Sequence, residues 1–326
     1  MPGAIAGKLT TALLLVVSMG CGPAGPWMGR ENVVSRLSSR PNPAAYIEAR
    51  VNVVTSDGVS LTGAHYAGGK RSDVGVLFVH GFTGSFDGPL LSSLTRSLAA
   101  RGFSTLSLNM RDAGCCTFTT LFEDSALDID AGVRFLREQG SSQVVLVGHS
   151  LGANRVTFYR AQIDDPAVSG LVVLAGVGNA YRVAAVLDVD GQGKAVLAEA
   201  MRRLAENDRV DELLEVSVGT LGTFSYTPAS LVSHGGPDTN SDLFKWLPRV
   251  ETPVLIVHAT SDRFGPFQRP ALARDVAVRS PRADLVYVEG ADHTFTGHEE
   301  ELTDILDAWF NQVIVEVVSR RMRAAT

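Results

Sequence analysis

Short apolar strands alternating with helix-period segments predict an α/β fold, built on a mostly parallel sheet covered by helices. The strands are "VGVLFVH" (74–80), "STLSLNM" (104–110), "QVVLVG" (143–148), "GLVVLAG" (169–175), "PVLIVHA" (253–259) and "DLVYVEG" (284–290). Several are almost continuously apolar, as strands buried on both faces must be. Between them, residues 88–101, 124–139, 151–163 and 300–318 repeat apolar positions at three- and four-residue steps. One gap breaks the rhythm: nearly eighty residues separate "GLVVLAG" from "PVLIVHA", where a simple crossover needs far fewer.

Taken in order, the chain of 326 residues begins with Lys8 and the apolar run "LTTALLLVVSMG", ending at Cys21. A charged start and an apolar stretch too short to span a bilayer predict an export signal over 1–21. "SMGC" resembles a lipobox, which implies a lipidated Cys21 and a membrane anchor, although Ser18 stands where an aliphatic residue is usual. The alternatives are a soluble exported protein and an uncleaved anchor. Residues 22–45, rich in Gly, Pro, Ser and Arg, read as a linker to a domain spanning 46–326. That domain opens on "YIEARVNVVTSDGVSLTGAHYA", which alternates about Ser56-Asp57-Gly58 and predicts a hairpin. The long gap predicts a cap over about 177–250, with a charged helical stretch at 193–216 and a turn-rich one at 226–244. Ligands bind at that edge of such sheets.

A formal charge of −6 gives no electrostatic basis for nucleic-acid binding, and "SRRMR" at 319–323 reads as a solvated helix end. Of three cysteines, Cys115 and Cys116 are adjacent. Neither has metal-ligand spacing, and two reduced, packed thiols are expected there. Nothing in the sequence calls for a metal or an organic cofactor.

The chemistry centres on Gly148-His149-Ser150-Leu151-Gly152, set between an apolar strand and a helix. A sharp strand-to-helix turn would expose the Ser150 hydroxyl at the head of the helix, with the Leu151 N–H facing developing negative charge. A lone serine hydroxyl is a poor nucleophile, so a base and an orienting acid must follow. "TSDRFGP" offers Asp262 and "ADHTF" offers His293, each just beyond a late strand and in the order acid, then histidine. His298 reads as a capping residue, Asp292 as a turn residue, His258 as packed near the core, and His149 as support for the turn. His65 and His234 have no motif context. In "VLFVHGFTGS", His80 and Gly81 make a turn that offers the Phe82 N–H as a second oxyanion donor.

With "HGF", "GHSLG", "SDRFGP" and "GADHTF" in this order, residues 46–318 resemble the α/β-hydrolase superfamily. The resemblance implies an eight-stranded, mostly parallel sheet, a Ser150–His293–Asp262 triad and an acyl-enzyme mechanism. Within the cap, "SLVSHGGPDTNSDLF" is similar to a segment of a serine-hydrolase group that includes siderophore esterases. That would put Asp238, Ser241 and Asp242 near the acyl pocket; read alone, they form a polar surface turn. The loop 111–122 follows a strand and is expected to wall the pocket with Cys115, Cys116, Phe118, Leu121 and Phe122. An apolar wall of that size favours small-molecule carboxylic esters with short to medium acyl groups. Thioester, lactone, amide, acyl transfer and a non-catalytic binding role stay open at this level, as does the oligomeric state, since fold alone does not dictate function.

Overall fold

A computed structural model describes residues 46–114, 116–179 and 191–324. The residues read as an export signal (1–21, with Cys21), those read as a linker (22–45) and Cys115 lie outside them. Among the described residues, no helix is long and apolar enough to cross a membrane.

In chain order the elements are β1 (Ile47–Val54), β2 (Ser60–Ala67), β3 (Arg71–Val79), α1 (Pro89–Ala100), β4 (Phe103–Leu108), β5 (Thr117–Phe118), α2 (Ser125–Glu138), β6 (Gln143–His149), α3 (Leu151–Gln162) and β7 (Val168–Leu174). Then come α4 (Gln192–Glu206), β8 (Leu214–Ser217), β9 (Thr223–Tyr226), α5 (Pro228–Gly235), α6 (Leu243–Trp246), β10 (Val254–Ala259), α7 (Gly265–Gln268), α8 (Pro270–Val276), β11 (Ala283–Val288) and α9 (Glu299–Ala324).

Eight strands form one sheet in the order β1-β2-β4-β3-β6-β7-β10-β11. The first hairpin and the β2–β4 pairing are antiparallel. Every later pairing is parallel. The apolar strands are buried on both sides because successive residues feed two cores. Leu77 and Val79 of β3, with Val144 and Leu146 of β6, pack beneath α2 and α3 through Ile129, Val133 and Val156. Their neighbours Val76, Phe78, Val145 and Val147 face α1 and α9, meeting Leu94, Leu98, Leu306 and Phe310. Burying each such side chain stabilises the fold by about 1.5–3 kcal/mol. Strand order reverses at β3, with β4 on one side and β6 on the other, which opens a crevice at the carboxyl ends of these strands.

A second, three-stranded sheet, β5-β9-β8, lies over that crevice with α4 and α5; β8 and β9 come from the segment between β7 and β10, and β5 from the loop after β4. The charged stretch at 193–216 is helical only to Glu206. Asn207 ends α4 in the left-handed conformation (φ 51°), and 214–217 alternates as a strand. Residues 117–118 of the loop after β4 pair in parallel with β9, which turns Phe118 inward. Cys116 is disulfide-bonded, which corrects the expectation of two reduced thiols; the other two cysteines of the chain lie outside the described residues.

Candidate active site

Ser150 sits between β6 and α3 at φ 56°, ψ −123°, a conformation that L-residues rarely adopt and that the packing around it must enforce. The flanking glycines show how. A Cβ on Gly148 would stand 2.3 Å from the Gly152 carbonyl oxygen, and one on Gly152 would stand 2.2 Å from the Val79 oxygen. Both obstacles are backbone, so neither position accepts a side chain. The turn therefore presses against the end of β3. Gly81 approaches so closely that its Cβ would lie 2.8 Å from that of Ser150. His80 fixes this approach: its Nδ1–H donates to the Gly81 carbonyl (2.8 Å) and its Nε2 accepts the Met110 N–H (3.0 Å). Burial holds the His80 imidazole down to about pKa 4, so it is neutral near pH 7.

The Ser150 hydroxyl lies 2.9 Å from His293 Nε2, and His293 Nδ1 lies 2.6 Å from Asp262 Oδ2. With Nδ1–H donated to the carboxylate, Nε2 carries the lone pair that accepts a hydrogen bond from the Ser150 hydroxyl. The loop holding His293 is tied down from both sides. Asp292 turns away and accepts the N–H groups of Thr294 and Thr296 (2.9 and 3.0 Å), while the buried Phe295 plugs the core beneath. Across the loop, His149 Nε2–H donates to the His293 carbonyl at 2.7 Å. His298 pairs with Glu301 at the start of α9, and His65 meets Ser104 inside the fold.

Asp262, buried in the turn after β10, accepts the Phe264 N–H on Oδ1 at 2.8 Å. Burial alone would raise its pKa, but the His293 imidazole and the N–H donors of Phe264 and Gln268 hold it below the usual carboxylate range. Gln268 is the residue that sequence reasoning missed. Its Nε2 donates to Asp262 Oδ2, and its Oε1 accepts the Nδ1–H of His258 at 2.6 Å. His258 thereby fixes which way the amide faces. Only the tertiary fold brings the three together; no spacing rule flags a glutamine six residues after the acid.

Leu151 opens α3, so its N–H has no intrahelical acceptor. Among the described residues, the Phe82 N–H donates no hydrogen bond either. Both follow immediately on residues in contact around Ser150, and both N–H groups are available to an anion there.

Ser150 and His293 open on a cavity of about 230 Å³. Its walls are Phe82, Val177, Val216, Val218, Leu221, Tyr226 and Leu231, supplied mostly by the β8–β9 unit and α5, with His234, Arg263 and Phe264 contributing polar and aromatic surface. The expected wall from the loop 111–122 is thus corrected. Phe118 lies one layer back, stacked between Phe82 (5.2 Å) and Tyr226 (4.8 Å). Phe122 packs against Phe158 and His234 instead of the cavity, and Cys116 and Leu121 do not line it. The cause is the pairing of this loop with β9 and its anchoring by ion pairs, Arg111 with Asp57 and Asp128, and Asp112 with the buried Arg155. The polar cap residues stand apart too. Ser241 Oγ donates to the His234 carbonyl (2.8 Å), Asp242 caps α6 through the Phe244 N–H (2.9 Å), and Asp238 is exposed. They position α5 and α6, and of that segment it is Leu231, His234 and Gly235 that reach the cavity.

The sequence pattern of the alpha/beta hydrolase family matches residues 76–305. The bifunctional esterase/perhydrolase DCH of Acinetobacter calcoaceticus is 27% identical over 243 residues, covering 66% of this chain and 83% of that protein. Among solved structures, the ferulic acid complex of Est1E from Butyrivibrio proteoclasticus superposes with a TM-score of 0.62 at 16% identity, covering 81% of this chain and 99% of that one. The Pyrococcus furiosus esterase Pf2001 gives 0.60 at 18% identity, covering 85% and 96%.

Proposed function

We propose, from the premise that this chain belongs to the alpha/beta hydrolase family, that it is a serine esterase acting on small carboxylic esters with short to medium acyl groups. Ser150 is the nucleophile, His293 the general base and then acid, and Asp262 the group that orients the imidazole. The reading rests above all on the unbroken hydrogen-bond chain from Ser150 through His293 to Asp262, opening on an apolar cavity. The esterase name of a curated relative supports it.

His293 Nε2 takes the hydroxyl proton as Ser150 Oγ attacks the ester carbonyl. The oxyanion that forms is met by the N–H groups of Phe82 and Leu151, each such donor contributing about 3–4 kcal/mol to the transition state. The imidazolium, held by ionised Asp262, gives its proton to the departing alkoxide. Water then repeats the sequence on the acyl-enzyme and releases the acid. A cavity of about 230 Å³ holds roughly seven or eight water-sized groups, which sets the acyl length.

A panel of p-nitrophenyl esters of rising chain length, run on the wild type and Ser150→Ala, tests this. The expected result is hydrolysis that peaks at short to medium chains and is lost in the variant. Equal, slow hydrolysis of every ester by both proteins would overturn the assignment.

A further inference from the structure

We infer that the substrate carries a carboxylate, and that Arg263 recognises it. The inference rests on the esterase reading above and narrows it. Among the described residues, the cavity beside Ser150 is lined by apolar and neutral side chains and no carboxylate, and Arg263 is the one permanent cation. Arg263 follows Asp262 directly, so the turn that carries the acid also delivers the guanidinium to the rim.

Three observations separate this arginine from a merely solvated one. First, it makes no ion pair or hydrogen bond among the described residues, whereas Arg155 and Arg111 are committed to carboxylates. Second, its guanidinium rests on the Phe264 ring, 4.8 Å from the centroid, and that ring in turn lies edge-on to His293 at 4.7 Å. The charge is thereby held over the aromatic wall beside the imidazole. Third, the Arg263 side chain remains exposed, so its planar N–H fork is free to take a ligand oxygen pair.

A guanidinium with free donors selects a carboxylate by a two-point, charge-assisted contact. At a partly apolar rim that contact is screened less than in open water. The reacting ester sits at Ser150, so the anion belongs to the same molecule, on its acyl or its alcohol side. The substrate class is therefore a half-ester of a dicarboxylic acid or an ester of a hydroxy acid. Thr83, Tyr226 and His234, the polar side chains of the wall besides Ser150 and His293, carry no permanent charge to compete for it.

The test compares matched esters that differ by one carboxylate: monoethyl adipate against ethyl hexanoate for the acyl side, and 6-acetoxyhexanoate against hexyl acetate for the alcohol side. The readout is the ratio of kcat/KM for the anionic ester to that for its neutral partner. In one of the two pairs the wild-type ratio is expected to fall on the order of tenfold or more in Arg263→Gln. Arg263→Lys should recover part of it, and Arg263→Glu should depress it further. Added KCl should shrink the wild-type ratio. If both ratios are the same in the wild type and Arg263→Gln, or if anionic and neutral esters fall by equal factors, the inference is wrong while the esterase reading stands. Failure to hydrolyse any of the four esters, anionic or neutral, overturns the esterase reading and this inference with it.

Discussion

Replacing Gln268 with leucine keeps most of the side-chain volume and removes both polar contacts that join His258 to Asp262. Asp262 keeps two donors, the Phe264 N–H and His293 Nδ1. It loses the third, a hydrogen bond to a charged acceptor worth about 1.5–3 kcal/mol. Fully expressed in the transition state, that loss would slow kcat by roughly 10- to 150-fold. Part of it is recovered by the remaining donors, so a fall of about tenfold in kcat with little change in KM is expected. The pH profile gives a second, independent sign. Gln268 is one of the donors holding the Asp262 pKa below its ordinary value, so its loss raises that pKa. The lowest-pH end of the acid limb of kcat, where Asp262 itself protonates, should then move to higher pH, because the carboxylate protonates sooner as pH falls. Steady-state rates with a p-nitrophenyl ester across pH, beside a thermal melt to show that the variant is folded, make the measurement. A folded Gln268→Leu with kcat within about twofold of wild type and an unmoved acid limb would refute the reasoning.

Two further outcomes follow from the geometry. His80 is held neutral in the folded protein with a pKa near 4, against 6.5 for an exposed histidine. The unfolded chain therefore binds the extra proton first, and this group's share of stability is whole above pH 6.5 and lost as pH falls toward 4. The loss amounts to about 3 kcal/mol, and denaturant unfolding at several pH values should show a shallower acid decline in His80→Gln. Leu221 lines the cavity from the β8–β9 turn, so Leu221→Trp should cut hydrolysis of hexanoyl and longer esters by tenfold or more relative to acetyl.

Strand and helix positions were legible because periodicity reflects burial directly. Val76 to Val79 read as one apolar run, and the structure divides them between two cores. Ser150, Asp262 and His293 were legible because each stands at the end of such a run, where chain order and strand context restrict the choice. The β8–β9 unit was not. Leu214 and Val216 continue the apolar spacing of α4, and nothing local outweighs that reading; Asn207 in the left-handed conformation and pairing with β9 decide it. Pairing of β5 with β9 likewise moves Phe118 from the cavity to the layer behind Phe82, a contact more than thirty residues away in sequence. Gln268 and Arg263 were silent for a related reason. Their significance is whom they touch, Asp262 and His258 for one and the Phe264 ring for the other, and neither contact has a residue-type signature.

The central claim, that Ser150 is an activated nucleophile, is tested most directly by covalent labelling with a fluorophosphonate. The account predicts one phosphonyl group per chain, found on the peptide containing Ser150, and none on Ser150→Ala. Labelling that persists in Ser150→Ala, or a folded wild type that resists the probe, would contradict it.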